Sequence, residues 1–143
     1  MLNDNAFVDW VPCDGIDEIP HPTRVCEPLN LACTSLPDLV YTMRWSGSNK
    51  LSTLQFETIR RIFQSFEKRK SFLLGDATGV GKGRTIAGVL YEQHSINHKF
   101  RAIWISANNR LQADAKKEVD LLGNVEIFQE NVMFLSYSSL LNP

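Results

Sequence analysis

The segment FLLGDATGVGKGRTIAGVLYE, residues 72–92, decides the fold class of this 143-residue chain. In it a short apolar run ends at Gly75, a glycine-rich loop follows, and apolar residues with helical spacing come after Lys82. Gly79 and Gly81 can take positive φ and turn backbone N–H groups toward one anion. Lys82 adds a positive charge, and the helix that follows adds the positive end of its dipole. The segment therefore predicts a strand, a phosphate-binding loop and a helix.

The loop departs at two positions from the strict pattern Gly-x-x-x-x-Gly-Lys-[Ser/Thr]. Asp76 stands at the first position, and Gly83 stands where Ser or Thr normally offers a hydroxyl to Mg²⁺. Thr85 follows two residues later and is the candidate to replace that hydroxyl, directly or through water. The alternative is a glycine-rich turn with a surface lysine, which the order of the flanking elements disfavours.

Helical and strand patterns alternate along the chain after residue 50. Ser52 and Gln55 have the spacing of a capping box at the start of a helix that reaches about Lys68. Short apolar runs predict three buried strands, at 71–75, 101–106 and 131–136. Helical spacing predicts further helices from near Gly83 to residue 96, over 110–123 and from 137 onward. This alternation predicts an α/β fold in which helices cover both faces of a parallel sheet.

Residues 1–50 differ in composition and predict an irregular arm. Five of the six prolines lie there, and residues 1–40 hold seven acidic residues against one arginine. The remaining 103 residues hold 14 bases and nine acids, an excess too small to indicate nucleic-acid binding by itself. Apolar residues near the start leave open a second interpretation, a partner-binding segment around 7–11.

The cysteines predict reduced thiols in an intracellular protein. There are three of them, Cys13, Cys26 and Cys33, without a Cys-x-x-Cys pair. A zinc site made from His21, Cys26 and Cys33 lacks a recognisable spacing. The sequence has no signal-peptide pattern and no apolar run near the roughly 20 residues that span a bilayer, so no membrane partner is expected.

The segments LSTLQFE, SFLLGDATGVGKGRTIAGVLYE, RAIWISANNRLQADAKKEVDLLG and VMFLSYSSLL resemble the helicase-like ATPase domain of strawberry notch proteins. The similarity covers about residues 21–141, and the loop and DAKKEVDLLG are its specific parts. In that family Gly-Arg also follows the lysine, so Gly83 is the family's own variant. Two departures are Ala77, where the family has Gly, and Pro37, which is followed by Asp38 and not by a second proline.

The resemblance implies a P-loop NTPase fold of superfamily-2 helicase type, with a RecA-like parallel sheet of which 51–143 would be an incomplete first lobe. ATP and Mg²⁺ are the implied ligands. Gln55 lies where the family's upstream glutamine reads adenine, and a helix-capping role stays open for it. The implied nucleotide-binding residues of the loop are Asp76, Thr78, Gly79, Val80, Gly81, Lys82, Gly83, Arg84 and Thr85.

Asn108, Asn109 and Arg110 follow the second predicted strand, where helicases touch the nucleic-acid backbone. A helix-capping role is the equal alternative for these three residues. The family's nuclear transcriptional roles imply a nuclear location, with DNA, chromatin or transcription factors as partners of the full-length protein.

The resemblance also implies what this chain would lack. The Asp-Glu motif for Mg²⁺ and water, and the second lobe with its arginine fingers, are expected beyond Pro143. We therefore expect no catalytic residue among these 143, and nucleotide binding with negligible hydrolysis. A truncated or duplicated non-enzymatic copy, acting as a nucleotide- or partner-binding module, is the alternative. A small-molecule kinase is disfavoured because Gly83 replaces the usual Ser or Thr.

Overall fold

The computed structural model describes residues 7–9, 26–28, 36–39, 50–76, 78–123 and 126–141. Its first two strands, β1 (Phe7–Asp9) and β2 (Cys26–Pro28), pair antiparallel within the arm. After them come α1 (Thr53–Glu67), α2 (Lys82–Ile96), β3 (Ala102–Ser106), α3 (Leu111–Leu122), α4 (Glu126–Asn131), β4 (Val132–Ser136) and α5 (Tyr137–Leu141). The β1–β2 pair was not predicted, because three-residue strands are too short to show a period-two pattern.

Helix α1 begins at the predicted capping box. The Ser52 hydroxyl accepts from the Gln55 N–H at 3.3 Å, and the Gln55 side-chain oxygen accepts from the Ser52 N–H at 3.0 Å. Two of the orphan donors at the helix start are thereby satisfied, which confirms the predicted capping box. Buried residues at helical spacing, including Ile59 and Phe63, then turn one face of α1 toward the core.

The core lies where α2 packs on both α1 and α3. Its buried residues are Leu39, Leu51, Phe56, Ile59, Phe63, Ala87, Leu90, Tyr91, Ala115, Val119, Leu122, Ile127 and Phe128. Tyr91 is buried and donates its hydroxyl to the carbonyl of Val119 at 3.3 Å, which ties α2 to α3. Helix α3 ends at Gly123, whose φ of 125° supports the predicted stop there.

A short part of the arm also packs on α1. Leu36 and Leu39 are buried. The buried Arg60 of α1 donates to the carbonyls of Leu36 and Pro37 at 2.7 and 2.9 Å. These bonds hold 36–39 against the helix. The boundary at residue 50 stays a prediction, and the interpretations placed on residues 10–11 and on His21 and Cys33 lie outside the described residues.

Strands β3 and β4 form a parallel pair, in register from Ala102↔Val132 to Ser106↔Ser136. They are joined through α3 and α4, so the predicted βαβ unit is confirmed. One face of the pair, with Trp104 and Phe134, packs against the helices. The opposite face presents Ile103 and Met133, which are 64% and 60% exposed. In the described part of the chain, helices therefore cover one face of this sheet.

The predicted buried strand at 71–75 is wrong for this structure. The segment has no strand assignment, and Leu73 is 89% exposed. A strand needs the backbone of a neighbour, and among the described residues β3 and β4 pair only with each other. The apolar run would be buried as predicted only with a partner strand beside it.

Helix α2 starts at Lys82, within one residue of the predicted start near Gly83. Helix α4 was not predicted, because its segment is too short to show helical periodicity. No helix within the described ranges is long and apolar enough to cross a bilayer.

Candidate phosphate-binding site

The loop between residue 75 and α2 has the backbone geometry that the glycines predicted. Gly79 has a φ of 89° and Gly81 a φ of 82°, conformations that other L-residues rarely adopt. A Cβ at Gly81 would collide with the side-chain amide nitrogen of Gln55, so close approach adds a second reason for glycine there. The space around Gly79 is open, and only its φ requires glycine.

The start of α2 is suited to an anion. Its N-cap is Gly81, which has no side chain to accept a hydrogen bond from the first turn, and that turn contains no acidic residue. The N–H groups of the first turn and the positive end of the helix dipole therefore meet no side-chain carboxylate from within that turn. This is the electrostatic arrangement that a phosphate group requires.

Lys82 reaches back across the loop. Its Nζ donates to the backbone carbonyl of Asp76 at 2.8 Å, six residues earlier. This bond braces the loop through the backbone carbonyl of Asp76. The side chain of Asp76 is exposed. Because this bond lies at the surface, where water can replace it, the bond itself opposes a shift of the ammonium group to a phosphate only weakly.

Gln55 connects α1 to the loop. Its side-chain oxygen is held by the capping box, and its Nε2 donates to the carbonyls of Val80 and Gly81 at 3.3 and 3.4 Å. The capping role left open by the sequence is confirmed. Adenine recognition stays a prediction, and it requires the amide to leave these partners.

The other predicted loop residues differ in accessibility. Thr78 is exposed and Val80 is half-buried. Thr85 is only 2% exposed, inside the packing of α2, and its N–H donates to the Gly81 carbonyl at 3.1 Å. Its role as a magnesium ligand stays a prediction, and in this conformation its side chain has almost no contact with solvent.

The sequence analysis did not predict a role for Glu118 or Lys50, which both contact Arg84 in the segment after Lys82. Arg84 Nε lies 2.6 Å from a carboxylate oxygen of Glu118 in α3, and Arg84 Nη1 donates to the carbonyl of Lys50 at 3.0 Å. Glu118 lies within DAKKEVDLLG, one of the two specific segments of the resemblance, and that was the available signal. The contact between Glu118 and Arg84 of α2 could not be predicted from residue spacing, since 34 residues separate the two.

Asn108, Asn109 and Arg110 form the exposed turn between β3 and α3. The Asn108 side chain accepts from the Arg110 N–H at 3.0 Å, so it stabilises the turn just before the helix. Asn109 and Arg110 line an open groove together with Gln112 and Lys116. The structure therefore supports a turn-forming role for Asn108 and leaves the other two beside a basic groove.

Comparison with known proteins decides the family. The family model described as P-loop containing NTP hydrolase pore-1 matches residues 20–141. Human protein strawberry notch homolog 2 is 36% identical over 157 aligned residues, which cover 95% of this chain. The chain belongs to the strawberry notch family. The resemblance and the P-loop NTPase fold class expected from the sequence are both confirmed.

Other members of the strawberry notch family also match most of the chain. Human protein strawberry notch homolog 1 is 33% identical over 150 residues, covering 98% of this chain. The Drosophila melanogaster protein strawberry notch is 37% identical over 132 residues, covering 85% of it. The chain spans only 8–11% of the length of these three relatives. No solved structure matches.

Proposed function

We propose that this chain is the nucleotide-binding part of a strawberry notch-type, helicase-like ATPase. The observation that carries the proposal is the loop itself, in which two positive-φ glycines lead into a helix start without acidic side chains, next to Lys82. Backbone N–H groups, the helix dipole and one ammonium group then bind the phosphates of ATP. The Gln55 amide either holds the loop through the carbonyls of Val80 and Gly81 or turns to the adenine.

Mg²⁺ would be held differently here than in loops with Ser or Thr after the lysine. Gly83 has no hydroxyl, Thr85 is buried, and the Asp76 side chain is exposed beside the loop. The phosphates and water would then provide most of the oxygen ligands, with Asp76 or Thr85 adding one only after a local movement. The ion would neutralise phosphate charge when bound.

We further propose that the isolated chain binds ATP without turning it over. Hydrolysis needs a group that orients water and a positive charge that reaches the transition state, in addition to a phosphate cradle. Asn109, Arg110 and Lys116 in the groove are suited to phosphates of a nucleic-acid backbone, which supports DNA as a partner of the full-length protein. A nuclear location is proposed from the family resemblance alone.

The test is titration of the purified chain with a fluorescent ATP analogue in Mg²⁺. Lys82→Ala should weaken binding roughly 10- to 100-fold, because a charge-assisted hydrogen bond to phosphate contributes about 1.5–3 kcal/mol. Lys99→Ala is the matched control, since Lys99 is exposed in the turn after α2. Equal affinities of the two variants would contradict the proposed site.

Phosphate release by the same preparations tests the second part. Turnover should stay at the background level in the chain and in both variants. ATP turnover that Lys82→Ala abolishes would show that the isolated chain is an active hydrolase.

A further inference from the structure

The position after the loop lysine is crowded by a neighbouring helix. A Cβ built at Gly83 would lie 3.2 Å from Cγ of Glu118 in α3, closer than ordinary van der Waals contact. Serine or threonine at this position would therefore push against Glu118. The absence of a Cβ at Gly83 allows the first turn of α2 to lie directly against α3.

Arg84, the residue after Gly83, forms an ion pair with the same glutamate. Arg84 Nε and a Glu118 carboxylate oxygen are 2.6 Å apart, which is a short charge-assisted contact. The side chains of Arg84 and Glu118 are 23% and 32% exposed, so solvent screens the pair only in part. Arg84 also donates to the Lys50 carbonyl at 3.0 Å, which fixes the guanidinium from a second side.

A third contact completes a chain of bonds around the first turn. Lys50, just before α1, donates its Nζ to the carbonyl of Leu122 at the end of α3 at 3.2 Å. The segment before α1, the first turn of α2 and the length of α3 are thus tied together through Lys50, Arg84 and Glu118. Just before this turn, Gln55 donates to the carbonyls of Val80 and Gly81.

We propose that Glu118 is a positioning residue of the nucleotide site, acting through Arg84. It holds the first turn of α2 in the orientation in which its N–H groups and Lys82 converge on a phosphate. The inference rests on the proposed nucleotide-binding function. It also accounts for the joint presence of Gly83-Arg84 and of DAKKEVDLLG: the glycine makes room for the glutamate, and the glutamate binds the arginine.

A double-mutant cycle with Glu118→Gln and Arg84→Gln tests the proposal. Glu118→Gln keeps the shape of the side chain and removes its charge. It should weaken binding of a fluorescent ATP analogue about 3- to 30-fold, the range found for residues that act on a site without touching the ligand. In the Arg84→Gln background the same change should have no further effect, because Glu118 acts through Arg84.

Glu130→Gln is the matched control, since Glu130 is exposed on α4. Urea unfolding of each variant gives the fraction folded, so that affinity refers to folded protein alone. A lower free energy of unfolding with unchanged affinity for Glu118→Gln would overturn the positioning role. Tighter binding would also overturn it, because Glu118 would then compete with the phosphates for Arg84.

The wild-type titration separates this inference from the function on which it rests. Absence of wild-type binding overturns both the proposed function and the positioning role. Wild-type binding that Lys82→Ala weakens and Glu118→Gln leaves unchanged overturns only the positioning role.

Discussion

Gln55 joins the start of α1 to the phosphate loop through a single amide group. Its oxygen accepts from Ser52, and its nitrogen donates to the carbonyls of Val80 and Gly81. The resemblance noted in the sequence predicts a second role for the same side chain, reading adenine. The two roles make different demands, because an amide that holds the loop acts on any nucleotide, whereas one that pairs with adenine distinguishes adenine from guanine.

We expect Gln55→Ala to weaken ATP and GTP binding alike, by about 3- to 10-fold, if the amide acts by holding the loop. Ser52→Ala is the control, since it removes the cap at a cost of about 1 kcal/mol of stability without touching the loop. Competition titrations with both nucleotides give the answer. A loss confined to ATP would instead establish adenine recognition.

At the scale of elements, α1 and α2 pack closely at Gly88. A Cβ there would collide with Cδ1 of Ile59, and both residues are buried. Because Ile59 is fully buried in the core, its side chain has little room to move away. The distance between the two helices, and with it the position of the loop relative to Gln55, depends on this contact.

We expect Gly88→Ala to lower the free energy of unfolding by about 1 kcal/mol. Overpacking costs about 1–3 kcal/mol, and the higher helix propensity of alanine returns about 1 kcal/mol. Ile59→Val removes the colliding methyl group, so in that background Gly88→Ala should be neutral or stabilising. Urea denaturation of the four proteins measures this coupling. Additive effects of the two substitutions would show that the helices separate and do not clash.

At the scale of the whole molecule, the βαβ unit exposes one face of its sheet. Ile103 and Met133 lie side by side in register on that face, and Ile105 is also exposed. Parallel sheets are normally covered on both faces, and contiguous apolar surface of this kind promotes association. The exposed Leu73 in the unpaired segment 71–75 adds to the apolar surface of the chain.

We expect the purified chain to self-associate at high concentration, and Ile103→Thr with Met133→Thr to reduce the association without a loss of stability. Threonine keeps the preference for strand conformation and removes apolar surface. Ile96→Thr is the control, because Ile96 is equally exposed but lies at the end of α2. Sedimentation velocity over a concentration series measures the association. An unchanged dependence in the double variant would locate the contact elsewhere.

Several of the predictions that held were local ones. The capping box, the positive φ of Gly79 and Gly81, and the end of α3 at Gly123 each depend on residues within a few positions of one another. The family followed from the same short segments, because GVGKGR and DAKKEVDLLG are themselves local patterns. The roles of Asn109, Arg110 and Thr85 stay predictions.

The sequence by itself determined that this protein has a glycine-rich loop of P-loop type at the start of a helix within an α/β fold, since backbone conformation there follows from glycine, lysine and helical periodicity. Only the tertiary structure decided that 71–75 forms no strand with the described residues, that Ile103 and Met133 are exposed on one sheet face, and that Glu118 reaches Arg84. The physical reason is that pairing and packing depend on partners far along the chain, and no local pattern specifies which partner is present.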